Sequence, residues 1–376
     1  DTLVAGHSIG EIAALAIAGV VSEADALRLA SVRGAAMSRA CAQRPTGMIA
    51  VLGGVEADVL LALLLELMTR RVRGVDDLGL LDVPVVGEGP LAVTFLGVST
   101  LLVQDGESAV MTDGFFSRPG LLQVGLGRVT PSAERIDAAL DRALGDAGLD
   151  GLDAVIPVHS HYDHALDSAV VAERTGALLV GGESVANVGV GGGLAPERIR
   201  VVASGDTVEC GAFSLTFVAS DHCPPDRYPG QIEAPVRPPV KVGAYRCGEA
   251  WSILLTHRSG RSALLQGSAG YVPDALAGHD AEVAYLGVGQ LGVQPLEYLE
   301  AYWEHTVRAV GARRVVLIHW DDFFSPLDRP LRALPYAGDD LDVTISVLGR
   351  LADEDGVALH LPRVWQREDP WAGLDG

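Results

Sequence analysis

Lysine is almost missing from this chain: Lys241 stands alone among 28 basic residues, and arginine supplies the rest. That skew is a coding bias toward arginine and carries no functional information. Positive charge as a whole is scarce, because 49 acidic side chains leave a formal net charge of −21. A nucleic-acid backbone needs a basic surface, so nucleic acid is not an expected partner. Cysteine is also sparse: Cys41, Cys210, Cys223 and Cys247 show no CxxC pair and no regular spacing. This excludes a disulfide framework and points to a reducing compartment, with the cytoplasm as the expectation. Long apolar runs are lacking too. The longest, Val59 to Leu65, is far too short to span a bilayer, so no integral membrane segment is expected. No basic-then-apolar leader opens the chain. It begins on Asp1 rather than Met, and the expectation is of an incomplete start.

What the chain does have is core. With 376 residues, 48% of them hydrophobic and 20% charged, it has the composition of a folded globular protein with room for one large domain and a smaller segment. Its chemistry is concentrated in Val-Ile-Pro-Val-His159-Ser160-His161-Tyr162-Asp163-His164. An apolar run that reads as a buried strand delivers these imidazoles and a carboxylate together. Neutral imidazole and carboxylate oxygen are good ligands for zinc and other borderline divalent ions. A lone histidine is more often an ordinary polar residue, but this density marks a ligand cluster. The spacing suits a strand end turning into a helix.

The first sixty residues have a different character. Gly6-His7-Ser8-Ile9-Gly10 is a G-x-S-x-G pattern, which places a serine on a sharp strand-to-helix turn. Ile12, Leu15, Ala16 and Val20 follow at helical spacing, and Ser22-Glu23-Ala24-Asp25 starts a second helix. Together with Arg33-Gly34, Met37 and Thr46-Gly47-Met48-Ile49-Ala50-Val51, this stretch resembles the malonyl-CoA:acyl-carrier-protein transacylase family. The resemblance implies that Ser8 takes the acyl group and Arg33 holds the malonyl carboxylate. A serine nucleophile needs a base, and the family's histidine lies in a part of the domain replaced here by unrelated sequence. The expectation is therefore an inactive acyltransferase fragment over residues 1–64, a remnant or one side of a fusion.

A helix end and a Gly/Pro-rich linker follow over residues 65–90. From Leu91 the pattern becomes strands, read at 92–97, 100–104 and 108–113, then a helix over 130–147 capped by Ser132. The strand at 154–158 leads into the histidine cluster. Further strands are read at 177–180, 199–202 and 208–218, ending at Ser220-Asp221-His222. Gly181-Gly182 and Gly189 to Gly193 read as turns. Residues 223–240, rich in proline, read as a loop beside the candidate site. Strands at 252–257, 262–266 and 283–287, a helix over 295–311 and a strand at 314–318 complete the pattern; the last ends at His319-Trp320-Asp321. Residues 366–376 are expected to form a tail. Strand ends therefore converge on His159 to His164, His222, Ser268 and His319.

Residues 91–365 resemble the metallo-β-lactamase fold superfamily of hydrolases. The resemblance rests on His159-x-His161-x-Asp163-His164, on His222 and His319, and on the turn Thr112-Asp113-Gly114-Phe115-Phe116. The variant with Tyr162, and Asp167 close behind, is most similar to the branch of sugar-phosphate lactonases and N-acyl-phosphatidylethanolamine phospholipases. It implies an α/β fold, an αββα sandwich with the metals at one edge. It also implies one or two Zn2+ ions, with Mn2+ or Fe2+ as alternatives. His159, His161 and His222 would hold the first ion, and Asp163, His164 and His319 the second. Asp163 would also orient the attacking hydroxide, while Tyr162, Trp320, Asp321, Phe323 and Phe324 would line the pocket of a small-molecule substrate. The family's bridging aspartate is matched here by Ser268, whose neutral hydroxyl predicts one tight and one weaker ion. The expected reaction is hydrolysis of an ester, lactone or phosphodiester. The alternatives are malonyl transfer by Ser8 and a non-catalytic metal-binding scaffold. Cys223 reads as a ligand or a buried thiol, and His257, His279, His305 and His360 as structural or exposed.

Overall fold

The computed structural model describes residues 22, 80–85, 91–335 and 338–374. Ser8, Arg33 and the rest of the acyltransferase-like segment lie outside them. The chain partitions into Asp1–Leu61 and Ala62–Gly376, and the second unit is the one described below.

Strands β1 (Leu81–Asp82), β2 (Ala92–Phe95), β3 (Leu101–Gln104), β4 (Ala109–Thr112), β5 (Ala154–Ile156), β6 (Leu178–Gly181) and β7 (Ile199–Val201) come first. They are followed by β8 (Thr207–Cys210), β9 (Phe213–Ser220), β10 (Ala250–His257), β11 (Ser262–Gln266) and β12 (Val283–Gly287). Then come β13 (Arg314–Ile318), β14 (Ala358–Leu361) and β15 (Arg367–Glu368). They form a seven-stranded sheet, β15-β2-β3-β4-β5-β6-β7, and an eight-stranded sheet, β1-β14-β13-β12-β11-β10-β9-β8. The helices are α1 (Leu121–Leu126), α2 (Ala133–Ala147), α3 (Tyr162–Ala165), α4 (Ser168–Thr175), α5 (Glu183–Gly191), α6 (Leu296–Trp303) and α7 (Leu341–Asp355).

Period-two alternation explains the layering, since successive strand side chains point to opposite faces. Val103, Val110, Ala154 and Ile156 join Phe213, Phe217, Ile253 and Leu255 in the core between the sheets. Their neighbours Leu102, Met111 and Val155 pack instead with Ile136, Ala139, Leu140 and Ala143 of α2. Those four occupy one stripe of the helix at i, i+3, i+4 and i+7. Tyr302 and Trp303 of α6 and Leu348 of α7 cover the other sheet. Helix, sheet, sheet, helix is the result, and each of the buried Val, Leu, Ile, Phe and Met side chains contributes roughly 1.5–3 kcal/mol.

Topology then sets where the strand ends fall. β4, β5, β6 and β7 are mutually parallel. In the other sheet β11, β12, β13 and β14 run parallel, and β9 shares their direction because β10 is antiparallel to both β9 and β11. The carboxyl ends of β4, β5, β9, β11 and β13 therefore deliver the residues that follow them to one edge.

Several expectations are corrected. Gly189 and Gly191 lie inside α5 rather than in a turn. A Cβ at Gly191 would come 1.8 Å from the Val236 carbonyl oxygen, and one at Gly189 would come 2.7 Å from Leu179. These glycines let the proline-rich loop and β6 press onto the helix. Residues 366–374 are built into the sandwich: β15 pairs with β2, and Trp371 is buried. The linker stretch likewise contributes β1, which pairs with β14. Ser132 stands at the start of α2, but its side chain makes no capping bond there. The helix over 295–311 includes a π-helical turn at Glu304–Arg308.

Candidate metal centre

The turn after β5 carries His159, Ser160 and His161, and Asp163 and His164 sit in the single turn of α3. His222 follows β9, and His319 follows β13. The fold brings these six together as two trios. In each of them, His159 with His161 and His222, and Asp163 with His164 and His319, one donor atom per residue lies within 4.8 Å of the others. His159 Nε2 stands 3.1 Å from His161 Nδ1, and His164 Nε2 stands 3.3 Å from His319 Nε2. Asp163 Oδ2 is 3.7 Å from His164 Nε2 and 3.5 Å from His319 Nε2.

Partners behind the rings fix the tautomers, because a ring nitrogen facing a carbonyl or carboxylate must carry the proton. His164 Nδ1 donates to Asp113 Oδ2 at 2.9 Å. His222 Nδ1 donates to the Cys223 carbonyl at 2.7 Å. His161 Nε2 faces the Tyr228 carbonyl at 3.3 Å and Asp226 Oδ1 at 3.2 Å. Each therefore turns a bare nitrogen into its trio. Bare imidazole nitrogens that converge with a carboxylate oxygen fit a divalent cation and leave each other no hydrogen-bonding proton. His159 Nδ1 and His319 Nδ1 are buried with no hydrogen-bond partner, so the centre is polar, enclosed and incompletely satisfied within the protein.

Electrostatics favour the ligating protonation states at His159, His161, His222 and Asp163, with His164 the exception. Burial, reinforced by His164 and His161, depresses the basicity of His159. Burial and the neighbouring His161 push the pKa of His222 down to about 4, and burial lowers that of His161 against the pull of Asp163 and Asp226. Neutral rings are what a cation needs. Burial opposes ionisation of Asp163, yet the neighbouring His164 and His319 outweigh it and hold the carboxylate ionised. His164 is shifted upward: burial opposes this, and Asp113 and Asp163 overcome it.

Other expected site residues land differently. Tyr162 is buried beside Phe115 and Phe323, ring centroids 6.0 and 6.4 Å away. Phe323 also approaches His319 edge-on at 5.8 Å. Trp320 belongs to the main core rather than a pocket wall, at 1% exposure, and Asp321 is fully buried against Arg118. Ser268 Oγ accepts the Cys223 amide at 3.2 Å, one residue from His222. Cys223 is a buried thiol whose pKa burial raises. His257 pairs with Asp105, His305 stacks on Tyr271, and His360 Nδ1 donates to the Asp82 carbonyl.

Sequence reasoning passed over the supports. Asp113 accepts Ser99 Oγ at 2.7 Å and the Val158 amide at 2.9 Å as well as His164. Asp167 accepts the amides of Phe116 and Ser117 and the Ser117 hydroxyl, and burial lifts its pKa to about 6. Asp113, at the end of β4 and at φ 53°, carried a usable signal: an acid closing a parallel strand beside the histidine-bearing one.

A malonyl CoA-acyl carrier protein transacylase of Mycolicibacterium smegmatis is 68% identical over 60 residues, 16% of this chain and 21% of that protein. A metal-dependent hydrolase of Chelativorans sp. is 25% identical over 132 residues, 35% of this chain and 48% of that protein. The chain thus spans about a fifth of the transacylase and about half of the hydrolase. A possible metal-dependent hydrolase from Veillonella parvula superposes with a TM-score of 0.47 at 14% identity, covering 74% of this chain and 98% of that one. The model of the metallo-beta-lactamase superfamily matches residues 93–244, from β2 through the His159–His164 cluster and His222.

Proposed function

We propose that this protein is a metal-dependent hydrolase that acts on an ester, lactone or phosphodiester at the His159–His164 edge. The observation that carries the reading is the pair of adjacent trios in which His161, His164 and His222 are held, by partners behind them, with bare nitrogens inward. His159, His161 and His222 would hold one divalent ion, with zinc preferred by the nitrogen-rich set. Asp163, His164 and His319 would hold a second. Bound there, such a cation supplies a water acidic enough to ionise near neutrality and polarises the oxygen of the bond under attack. Asp163, kept ionised by its histidine neighbours, would accept a hydrogen bond from the attacking water and orient it. Tyr162 and Phe323 form the apolar side of the site.

Ser268 favours a difference between the two ions. Its hydroxyl is neutral and already engaged by the Cys223 amide, so it adds no negative charge between the trios. One ion should be tight and the other weak. The same residue supports a second reading, a metal-binding scaffold without turnover. A panel of esters, lactones and phosphodiesters, assayed with the metal-free and reloaded protein, separates them. Hydrolysis that disappears with metal and with His161→Ala supports the enzyme; metal binding with no turnover on any class supports the scaffold. Activity and metal content unchanged by His161→Ala would overturn both. Malonyl transfer by Ser8 has no observation in its favour among the described residues, and acyl labelling by malonyl-CoA tests it separately.

A further inference from the structure

Behind the second trio lies a group of buried residues that holds backbone in unusual places. Arg118 and Asp321 form an ion pair at 2.5 Å, and both side chains are fully buried. Asp321 Oδ1 accepts the Val98 amide at 2.8 Å. Arg118 also donates from Nε to the Ser325 carbonyl at 2.6 Å and from Nη2 to the Asp322 carbonyl at 2.8 Å. Three loops meet at this pair: the β2–β3 turn, the segment after β4, and the segment after β13. The first and third also meet directly, since the His319 amide donates to the Val98 carbonyl at 2.5 Å.

The backbone there is strained. Val98, Asp113, Arg118 and His319 all have positive φ, at 53°, 53°, 39° and 58°. Non-glycine residues seldom adopt such values, and for a β-branched valine they mark a genuine outlier. Such conformations persist only where the surroundings over-determine them, and they cluster at functional sites. His319 belongs to the trio itself, Asp113 holds His164, and Val98 holds the amide of His319. Gly97 fits the same construction, because a Cβ there would lie 2.4 Å from Arg118 Nη1.

We infer that the Arg118–Asp321 pair is a positioning device for His319 and hence for the second ion. A buried ion pair is seldom a net source of stability compared with well-packed apolar residues. Its use here is direction: a forked guanidinium and a carboxylate fix the relative placement of three loops at once, which apolar packing does less sharply. The pair sets the affinity of the Asp163, His164 and His319 trio while leaving the His159, His161 and His222 trio alone. This inference rests on the proposed metal centre.

The test is a Co2+ titration of the full chain, followed by visible absorbance, for wild type, Asp321→Asn and the double variant Arg118→Met/Asp321→Leu. The double variant leaves no lone buried charge. His164→Ala and His159→Ala assign the two binding events. The expected result is a loss of about 10- to 100-fold in the event assigned to His164, with the other event unchanged. Hydrogen exchange at the His319 amide should accelerate in both variants without any metal present. If the double variant does not fold, Asp321→Asn decides. Second-ion affinity within twofold of wild type, with the His319 amide as protected as before, overturns the inference. Wild type that takes up no ion at all overturns the metal centre itself, and the inference with it.

Discussion

Replacing Asp113 by asparagine tests how far the second trio depends on what stands behind it. The wild-type carboxylate accepts three hydrogen bonds, from the Val158 amide at 2.9 Å, Ser99 Oγ at 2.7 Å and His164 Nδ1 at 2.9 Å. Asparagine keeps the shape and can still accept the Val158 amide through Oδ1. Its amide nitrogen then faces Ser99 and His164 as a donor. Ser99 can rotate its hydroxyl to suit; His164 cannot donate from Nδ1 and must move its proton to Nε2. That proton points at His319, 3.3 Å away, and closes one ligand position. Exchanging a charge-assisted bond for this arrangement costs about 1.5–3 kcal/mol, and such supporting partners typically carry 10- to 100-fold in metal affinity. Competition with a chromogenic chelator should show the weaker ion lost by at least about tenfold, with the tighter ion within about twofold of wild type. Thermal unfolding of the metal-free protein measures the structural cost separately. An Asp113→Asn protein that binds the second ion as tightly as wild type would refute the tautomer argument.

Three further outcomes follow from the same geometry. Ser268→Asp should tighten the weaker ion by at least about tenfold, the scale on which charge near a site acts, while its carboxylate keeps the Cys223 amide as a donor; isothermal titration reads this, and unchanged affinity would remove Ser268 as the cause of any asymmetry. Gly97→Ala should destabilise the fold by at least about 1–3 kcal/mol, because Gly97 sits at φ 87° and the new Cβ would meet Arg118 Nη1 at 2.4 Å; denaturant melts check it. Glu368, buried on β15, has its pKa pushed by burial up to about 8 from an ordinary 4.5. A carboxyl raised in the folded state contributes stability that is complete below its unfolded pKa and lost as pH rises through the folded one. Glu368→Gln, which can still accept the Arg363 amide, should match wild type only below the ordinary carboxyl value of 4.5. It should exceed wild type by roughly 3–5 kcal/mol above pH 9, at 1.36 kcal/mol per unit. Parallel melting curves across that range would dispose of the buried-acid reading of β15.

The histidine-bearing strand ends were legible because their signal is local: an apolar run followed by His159, His161, Asp163 and His164 states both the strand and its cargo. His222 and His319 were legible for the same reason, each closing its own apolar run. The supports were not, because they join residues far apart in sequence. Arg118 and Asp321 are 203 positions apart, and no local pattern marks either one. Asp113 looked like part of a family turn, and its hydrogen bond to His164 depends on β4 and β5 lying side by side. Trp320 and Asp321 were misplaced because a strand end says where the chain arrives without saying which way each side chain turns. Gly189 and Gly191 read as turn residues by propensity, whereas close packing against Val236 and Leu179 makes glycine necessary within α5. The last residues carried little pattern of their own, and β15 exists because β2 offers an edge for it.

The most direct test of the metal centre is X-ray diffraction from crystals of the full chain grown with zinc, with data collected on both sides of the zinc absorption edge. The account predicts a strong anomalous peak bounded by His159 Nε2, His161 Nδ1 and His222 Nε2. It also predicts a weaker peak bounded by Asp163, His164 Nε2 and His319 Nε2. Ordered side chains in the arrangement described, with no anomalous density in either trio at saturating zinc, would contradict it.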